Sequence, residues 1–356
     1  MRKKLAIVSS YNELCGNATY THVLKKEFQK YYEVDVIALN TFYLQGENSK
    51  LKKLALAHID DIAKQLKKYD YVNIQFEAGL FGKKREDIVR RFKVILKASS
   101  NVIVTMHRID LRQDFISFNF IRQIIKGKIF NILKEFRSKS YYAILYEKII
   151  EAIKDHSNSH NANIMVHTKR DLKNVQLLFD FNNVFDHPIT FLNKVEREYY
   201  IKNSQSAVIA FRKKYLLEDS DVAIGIFGFI SEYKGHDTAI EALKFLPKNY
   251  KLLIFGSQHP HSIMENEKIN NFLNNLKNQL ITSGKKDSLY KRVVFCGALN
   301  DEEFITALHC VDFTVLPYLE TNQSGSGIAS LTLETKAKSL FSNNYAFFEL
   351  KKYADS

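Results

Sequence analysis

One loop near the start of the chain combines a glycine with small polar residues, a combination that suits the binding of an anion. It runs from Cys15 to Tyr20 and places Gly16 just before a predicted helix. A glycine at this point lets backbone N–H groups approach an anion at the helix N-terminus. The loop lacks a Gly-x-Gly-x-x-Gly motif, and a glycine here often only makes a tight turn. By themselves these residues fit both interpretations.

A second loop, at residues 323–329, has the most informative sequence of the chain, Gln-Ser-Gly-Ser-Gly-Ile-Ala. Small residues leave backbone N–H groups accessible at the start of a predicted helix, which suits a pyrophosphate. Glu334 follows about two turns into that helix, where its carboxylate can accept hydrogen bonds from ribose hydroxyls. A flexible Gly/Ser loop before an ordinary helix fits the same residues. The binding candidates here are Ser324, Gly325, Ser326, Gly327 and Ile328.

Two single side chains complete the set of candidates. Lys234 stands just before Gly235 and a predicted helix over 237–246, where a lysine can meet a diphosphate as a point charge. His107 ends a predicted strand, and ligands of open α/β sheets bind at the carboxyl ends of strands. The alternatives are a surface lysine before a glycine turn and a partly buried histidine with one hydrogen bond.

Composition limits the class of protein that these residues serve. A chain of 356 residues exceeds the usual size of one hydrophobic core, so we expect two domains. The net charge of +13 predicts attraction to an anionic partner such as nucleic acid, acidic lipid or a phosphorylated substrate. No apolar run reaches the ~18–20 residues of a membrane span, and Leu5–Val8 is too short for a signal peptide. Three cysteines without metal-ligand spacing predict reduced thiols in a cytoplasmic protein.

The elements that must position the candidates follow a regular order. Short, continuously apolar segments predict parallel strands that are covered on both faces, and strand–helix repetition predicts doubly wound α/β units. The pattern weakens between about 184 and 214 and then restarts. We therefore predict an N-terminal domain at 1-204 and a C-terminal domain at 205-356. The predicted strands are 5–8, 34–39, 71–76, 102–106, 163–167, 222–227, 251–255, 293–296 and 313–316.

A basic segment interrupts this alternation within an insertion at 112-160. From Arg122 to Lys139 there are six basic residues and one acid, and apolar residues recur at helical spacing. One apolar and one cationic face are typical of a helix that lies on an anionic membrane surface. We therefore take 121-139 as a candidate membrane contact, peripheral on the inner face. A helix packed on its own domain with a solvated cationic face is the alternative, and it is the commoner one.

Taken in order, these segments resemble the family 4 glycosyltransferases. The resemblance implies the glycosyltransferase-B fold, α/β with two facing Rossmann-like domains, the first on the acceptor side and the second holding the donor. It also implies transfer of a sugar, with retention of configuration, from a nucleotide-diphosphate sugar to a glycan or lipid-linked acceptor, with no metal or cofactor. The resembling stretches span nearly the whole chain, at 15–21, 73–81, 105–107, 187–189, 228–235, 255–256 and 323–334.

The resemblance further implies a role for each candidate. Gly16 would approach the donor phosphate, His107 would face the transferred sugar, and Lys234 would neutralise the diphosphate. Preorganised donors of this kind meet the charge that develops on the leaving group. Glu334 would hold the ribose, and His107, Lys234 and Glu334 are thus the expected catalytic residues. The amides around Ser326, Gly327 and Ile328 would bind diphosphate oxygens, and the backbone from Gly297 to Leu299 would contact the base.

The sequence departs from the family's pattern in three places. Phe229 stands where the family usually has an arginine, and Ser326 stands where it has the first glutamate of Glu-x7-Glu. The chain also ends at Ser356, soon after a predicted strand over 345–350, so we expect either a shortened protein or an incomplete second domain. These departures motivate an alternative function, a catalytically impaired or truncated accessory protein that binds a sugar nucleotide. An epimerase or a nucleic-acid binder is a third possibility, although no helix-turn-helix, zinc or RNA-binding signature appears.

Overall fold

The computed structural model describes residues 2–13, 15–110, 129–202, 204–257, 267–282, 289–319 and 324–353. The chain forms two compact units, Met1–Pro188 and Ile189–Ser356. This division falls before the boundary predicted after residue 204. The reason lies in hydrogen bonds from Phe191, Leu192 and Arg197 to Glu334, which join the 189–204 segment to the second unit.

The first unit is built on a parallel sheet with the order β2-β1-β3-β4-β5-β6. The chain order reverses between β1 and β3, and such a switch point is where doubly wound sheets bind ligands. Its described elements are β1 (Lys4–Ser9), α1 (Gly16–Phe28), β2 (Glu33–Ala38), α2 (Thr41–Leu44), α3 (Ser49–Leu66), β3 (Tyr71–Phe76), α4 (Ala78–Phe81), α5 (Arg85–Lys97), β4 (Asn101–Met106), α6 (Ile129–Ser157), β5 (Asn161–Val166), α7 (Lys169–Phe179) and β6 (Val184–Asp186).

The first strand shows why these strands are continuously apolar. Ala6 and Val8 are buried in the main core, among residues of α2 to α7. Leu5 and Ile7 point to the other face and pack with Leu24 of α1. Because both faces are covered, no position along the strand is left for a polar residue that faces water.

The second unit has a parallel sheet with the order β11-β10-β7-β8-β9, and its switch point lies between β7 and β10. Its described elements are α8 (Lys194–Lys202), α9 (Ser204–Lys214), β7 (Val222–Phe227), a 3-10 helix (Glu232–Lys234), α10 (His236–Ala242), a 3-10 helix (Leu243–Phe245), β8 (Tyr250–Phe255), α11 (Glu267–Thr282), a 3-10 helix (Leu289–Lys291), β9 (Val293–Gly297), α12 (Asp301–Cys310), β10 (Phe313–Leu316), α13 (Gly327–Glu334), β11 (Ser339–Phe341) and a 3-10 helix (Tyr345–Tyr353).

The predicted α/β class is confirmed, and the nine predicted strands are all present with ends within two residues. Two strands were missed, β6 and β11, which have three residues each at sheet edges. The predicted strand over 345–350 is wrong, because Tyr345–Tyr353 is a 3-10 helix. There Ala346 and Phe347 are buried against Leu316 and Tyr318, while the strand position beside β10 is taken by β11.

The predicted basic helix 121-139 lies largely outside the described residues. The described structure resumes with α6, a helix of 29 residues that begins at Ile129, and side chains are described from Ser140 onward. In the described ranges, no helix has both the length and the apolar character that crossing a bilayer requires.

Candidate functional site

In the first unit the loop after β1 leads into α1, with Gly16 as the first helical residue. The N-cap residue Cys15 makes no side-chain capping hydrogen bond, and the first turn carries no acidic residue. A Cβ on Gly16 would meet no atom within 4 Å. The space beside Gly16 is therefore open at the start of this helix, which follows the switch-point strand β1, and a helix N-terminus favours an anion.

His107 directly follows β4 and is half-buried beside the ends of two neighbouring strands. Its Nε2 atom lies 2.8 Å from Oε1 of Gln75 on β3, and its Nδ1 atom lies 3.2 Å from Nε2 of His167 after β5. The Tyr20 ring, on α1, packs nearly perpendicular to both imidazoles, with centroids 5.5 and 5.8 Å away. The structure thus brings α1 and His107 together and adds Gln75 and His167.

The partners of the two histidines determine where their protons lie. Nδ1 of His167 is 3.0 Å from the carbonyl oxygen of His187, which can only accept, so this nitrogen carries a proton. Nε2 of His107 faces Oε1 of Gln75, which also can only accept, so the proton of a neutral His107 ring lies on Nε2. Burial, followed by the neighbouring His167, lowers the pKa of His107 well below its ordinary value. Burial also lowers the pKa of His167 to about 4, so both rings are neutral near pH 7. Both ring nitrogens of His107 are thus engaged by neighbouring side chains, and burial favours its neutral form.

In the second unit the principal charged side chain of the site is Lys234, which is only 6% exposed. Its ammonium donates a hydrogen bond to the hydroxyl of Tyr318. It also lies 4.1 Å from the centroid of that ring and 5.2 Å from the ring of Tyr233. Burial lowers the pKa of Lys234 to about 7, and no carboxylate of the described residues offsets that effect. A buried cation without a counter-ion is a site for an anion.

Two glycines with left-handed backbone shape the surroundings of Lys234. Gly235, with φ of 70°, ends the 3-10 helix, and a Cβ there would lie 2.1 Å from the carbonyl oxygen of Pro317. Gly228, with φ of 103°, directly follows β7, and a Cβ there would lie 2.6 Å from Ile328 and 3.6 Å from Nζ of Lys234. Only glycine avoids strain at these positions and keeps the space beside the ammonium open.

The loop at 324–328 leads into α13 next to this lysine. Ser326 is the N-cap residue, and its hydroxyl accepts a hydrogen bond from the backbone N–H of Ala329. The same hydroxyl lies 3.0 Å from that of Tyr318, so Lys234, Tyr318 and Ser326 form one connected cluster. Ser324 is buried, and a Cβ on Gly325 or Gly327 would press on Ile189 or Phe191. The start of α13, like that of α1, carries no acidic residue.

Glu334 ends α13 and is fully engaged by its own unit. Its carboxylate accepts hydrogen bonds from the backbone N–H groups of Phe191, at 2.9 Å, and Leu192, at 3.3 Å. It also forms an ion pair of 2.9 Å with Arg197. Burial raises the pKa of Glu334 and these donors oppose that rise. The structure therefore shows Glu334 fastening the 191–197 segment, and its role toward a ribose stays a prediction.

The backbone expected to meet the base lies at the carboxyl end of β9. Gly297 has φ of 77° and open space around its Cβ position, and its carbonyl accepts a hydrogen bond from Gly256 at the end of β8. Leu299 is half-buried and packs into the core beside Phe304. Gly297, Gly256, Gly228 and Tyr318 therefore follow neighbouring strand ends at one edge of the sheet.

Sequence reasoning missed three residues of these clusters, Gln75, His167 and Tyr318. Each stands at or just after the carboxyl end of a predicted strand, the same signal that pointed to His107. Applying that signal to every predicted strand would have found them. Among the described residues, no three His, Cys, Asp or Glu side chains are grouped as a metal ion would need them.

No protein-family model matches the chain, and no curated protein matches it. Solved structures do match over almost its full length. HepE (Alr3699) from Anabaena, solved with UDP and glucose, has a TM-score of 0.61 at 12% identity, covering 98% of this chain and 83% of that one. The UDP-forming α,α-trehalose-phosphate synthase from Burkholderia xenovorans, solved with glucose-6-phosphate, has a TM-score of 0.63 at 9% identity, covering 98% and 87%.

WaaG, a glycosyltransferase involved in lipopolysaccharide biosynthesis, has a TM-score of 0.57 at 14% identity, with 98% of this chain and 84% of that one covered. At such identities the likeness establishes the fold. The chain accordingly has the glycosyltransferase-B fold, with a Rossmann-like parallel sheet in each of its two units.

Proposed function

We propose that the chain is a retaining glycosyltransferase of the family 4 type that transfers a hexose from a nucleotide-diphosphate sugar to a glycan or lipid-linked acceptor. The observation that carries the proposal is the buried Lys234, which has no carboxylate partner among the described residues and lies beside the start of α13 at the switch point of its sheet. The fold neighbours support a sugar-nucleotide donor, since HepE was solved with UDP and with UDP-glucose.

The proposed reaction depends on stabilising the departing diphosphate. The bond between the anomeric carbon and the phosphate oxygen breaks, and the acceptor oxygen forms its bond to that carbon on the same face. The acceptor proton passes to the departing phosphate. Lys234 and the N–H groups at the start of α13 meet the negative charge on the diphosphate, a task for which no divalent metal is needed. His107 faces the transferred sugar, as the family resemblance implies, and burial favours its neutral form.

The nucleotide is found with a panel of UDP-, GDP-, ADP- and dTDP-sugars in a thermal-shift assay. A donor at 100 times its dissociation constant adds about 2.7 kcal/mol, which raises the melting temperature by several degrees. We expect one base class, UDP by analogy with HepE, to raise it. Release of the matching nucleoside diphosphate with an added acceptor then measures turnover. No shift with any donor would contradict the proposal.

One observation favours a second candidate, a sugar-nucleotide-binding accessory protein. Phe229 takes the place of the arginine that the family resemblance leads us to expect, which leaves Lys234 without a second cation at that position. The melting temperature of such a protein would also rise in the thermal-shift assay, with sugar nucleotides of the same base. It would be distinguished by the absence of any nucleoside diphosphate release with every acceptor tried.

We further propose that the first unit acts at an anionic membrane surface, where lipid-linked acceptors are held. Besides the sequence of 121-139, the support is a groove of about 480 Å³ between α5 and α6. Its lining includes the apolar Val89 and Val94, one acid, Glu86, and five basic residues, Arg85, Arg90, Lys93, Lys97 and Lys148. A predominantly basic lining with apolar residues suits anionic headgroups.

Charge reversal on α5 tests this membrane contact. Replacing Lys93 and Lys97 by glutamate changes the local charge by four, at about 1 kcal/mol per charge near the surface. We expect binding to vesicles of 30% phosphatidylglycerol to fall at least ~100-fold in a flotation assay. The same change at exposed Lys52 and Lys53 of α3 is the matched control and should have little effect. Equal binding of both variants would exclude this face as the contact.

A further inference from the structure

Tyr318 links two parts of the donor site that are far apart in the sequence. It follows β10, is 4% exposed, and has its hydroxyl between the ammonium of Lys234 and the hydroxyl of Ser326. An ammonium group only donates hydrogen bonds, so the Tyr318 oxygen is the acceptor for Lys234. The ring lies 4.1 Å from the same ammonium, and its face attracts a cation. Both the hydroxyl and the ring of Tyr318 therefore favour the charged form of Lys234.

Tyr318 is itself held from several sides. Its ring packs against Tyr233, with centroids 5.6 Å apart, and against Phe347, at 4.9 Å. Its carbonyl oxygen accepts hydrogen bonds from the side chains of Ser342, at 2.9 Å, and Asn344, at 3.3 Å. A side chain with these contacts has little freedom to change rotamer, so its hydroxyl is a fixed point for the flexible lysine.

We propose that Tyr318 is a positioning residue, which holds the Lys234 ammonium at the start of α13 and helps it to remain charged in a buried place. A neutral phenol does this without cancelling the charge of the lysine, whereas a carboxylate would cancel it. Burial raises the pKa of Tyr318 and keeps the phenol neutral. The positive charge is thereby left for an incoming diphosphate, and to that extent the inference rests on the proposed function.

The cluster of Lys234, Tyr318 and Ser326 matters more because the sequence departs from the family pattern at two positions in or near it. With Phe229 and Ser326 in place of the expected arginine and glutamate, Lys234 has neither a neighbouring arginine nor an acidic partner from those two positions. The described contacts of its ammonium are with Tyr318 and the ring of Tyr233. The position and the charge of the Lys234 ammonium therefore depend strongly on Tyr318. A lysine inside an ion-pair network would depend less on any single partner.

Tyr318→Phe tests the inference, because it keeps the ring and its packing and removes only the hydroxyl. The first readout is the pKa of Lys234 in the full chain, measured by NMR of lysine labelled at Cε and Nζ and assigned with Lys234→Arg. The second is the affinity for UDP between pH 6 and 9 by calorimetry. We expect the pKa of Lys234 to fall by about one unit, which makes UDP binding about tenfold weaker at pH 8. At pH 6, where the lysine is about nine-tenths charged in the wild type and about half charged in the variant, the affinities should differ by only about twofold.

The matched control is Tyr250→Phe at a half-buried tyrosine of the same unit, which should change neither readout. An unchanged pKa of Lys234 in Tyr318→Phe overturns the inference, and so does a loss of UDP affinity that is equal at every pH. If the wild type does not bind UDP and the pKa of Lys234 still falls in the variant, Tyr318 positions the lysine and the proposed donor is wrong. The experiment can therefore refute the positioning role of Tyr318 and the proposed donor independently of each other.

Discussion

Replacing Lys234 by methionine should abolish most nucleotide binding and at the same time make the free protein more stable. The ammonium is buried with no carboxylate partner in the described structure, and the depression of its pKa from 10.5 to about 7 measures what that burial costs. A shift of this size corresponds to about 5 kcal/mol between the charged and neutral forms. Methionine fills similar space, adds no charge and packs well against aromatic rings such as Tyr233 and Tyr318.

The two effects of Lys234→Met have opposite signs, which separates a binding role from a structural one. Loss of a charge-assisted hydrogen bond to the diphosphate should weaken UDP binding by about 2–3 kcal/mol, roughly 30- to 150-fold. The free energy of unfolding at pH 7 should rise by about 2–4 kcal/mol. Calorimetry and urea denaturation measure the two quantities. Lys244→Met, at an exposed position of the same unit, should change neither. Unchanged UDP affinity in Lys234→Met would show that this lysine does not meet the diphosphate.

The second large effect is a coupling between nucleotide binding and proton uptake. The free protein holds Lys234 with a pKa of about 7, so at pH 8 only about a tenth of the molecules carry the charge. A bound diphosphate raises that pKa, because an opposite charge favours the protonated form. Binding at pH 8 should therefore take up roughly 0.9 proton. Above pH 7 the affinity should fall about tenfold per unit, until the pKa of the complex is reached.

Calorimetry in buffers of different ionisation enthalpy measures this uptake between pH 7 and 9.5, above the range in which a terminal phosphate itself titrates, near pH 6. Lys234→Met should remove both the uptake and the slope. The free energy of unfolding of the free protein should depend on pH in the opposite direction to the affinity. Its Lys234 pKa is depressed relative to the unfolded chain, so the native state binds fewer protons, and stability rises from about pH 7 to about pH 10.5. A flat affinity from pH 7 to 9.5 without proton uptake would contradict the coupling.

The strands were predictable from the sequence because each signal is local. A strand covered on both faces favours a mainly apolar run, as Leu5 to Val8 shows, and the nine predicted segments are all strands. The short edge strands β6 and β11 carry no such run, since three residues at an edge bury little. The 345–350 segment has the composition of a strand, but its pairing partner is already occupied by β11. That occupancy is a property of the assembled sheet.

The contact between the two histidines could not be predicted from local sequence signals. His107 could be chosen from the sequence because it ends a strand. His167 lies 60 residues further on, and the two rings meet because β4 and β5 pair in parallel with Thr105 opposite Met165. In that register His107 and His167, each two residues further along the chain, lie side by side. The sequence pattern of neither strand reveals this register, because the register is set by packing across the sheet.

By itself the sequence determined the α/β class, nearly every strand and the loops that hold Gly16, Lys234 and Ser326, because glycine, small residues and apolar runs act over a few positions. The tertiary structure alone decided the partners of these residues. It placed Tyr318 against Lys234 through the pairing of β10 with β7, and it set Glu334 against the backbone of Phe191, 143 residues away. It also decided the charge, because the pKa of about 7 arises from burial, and burial is a property of the packed unit.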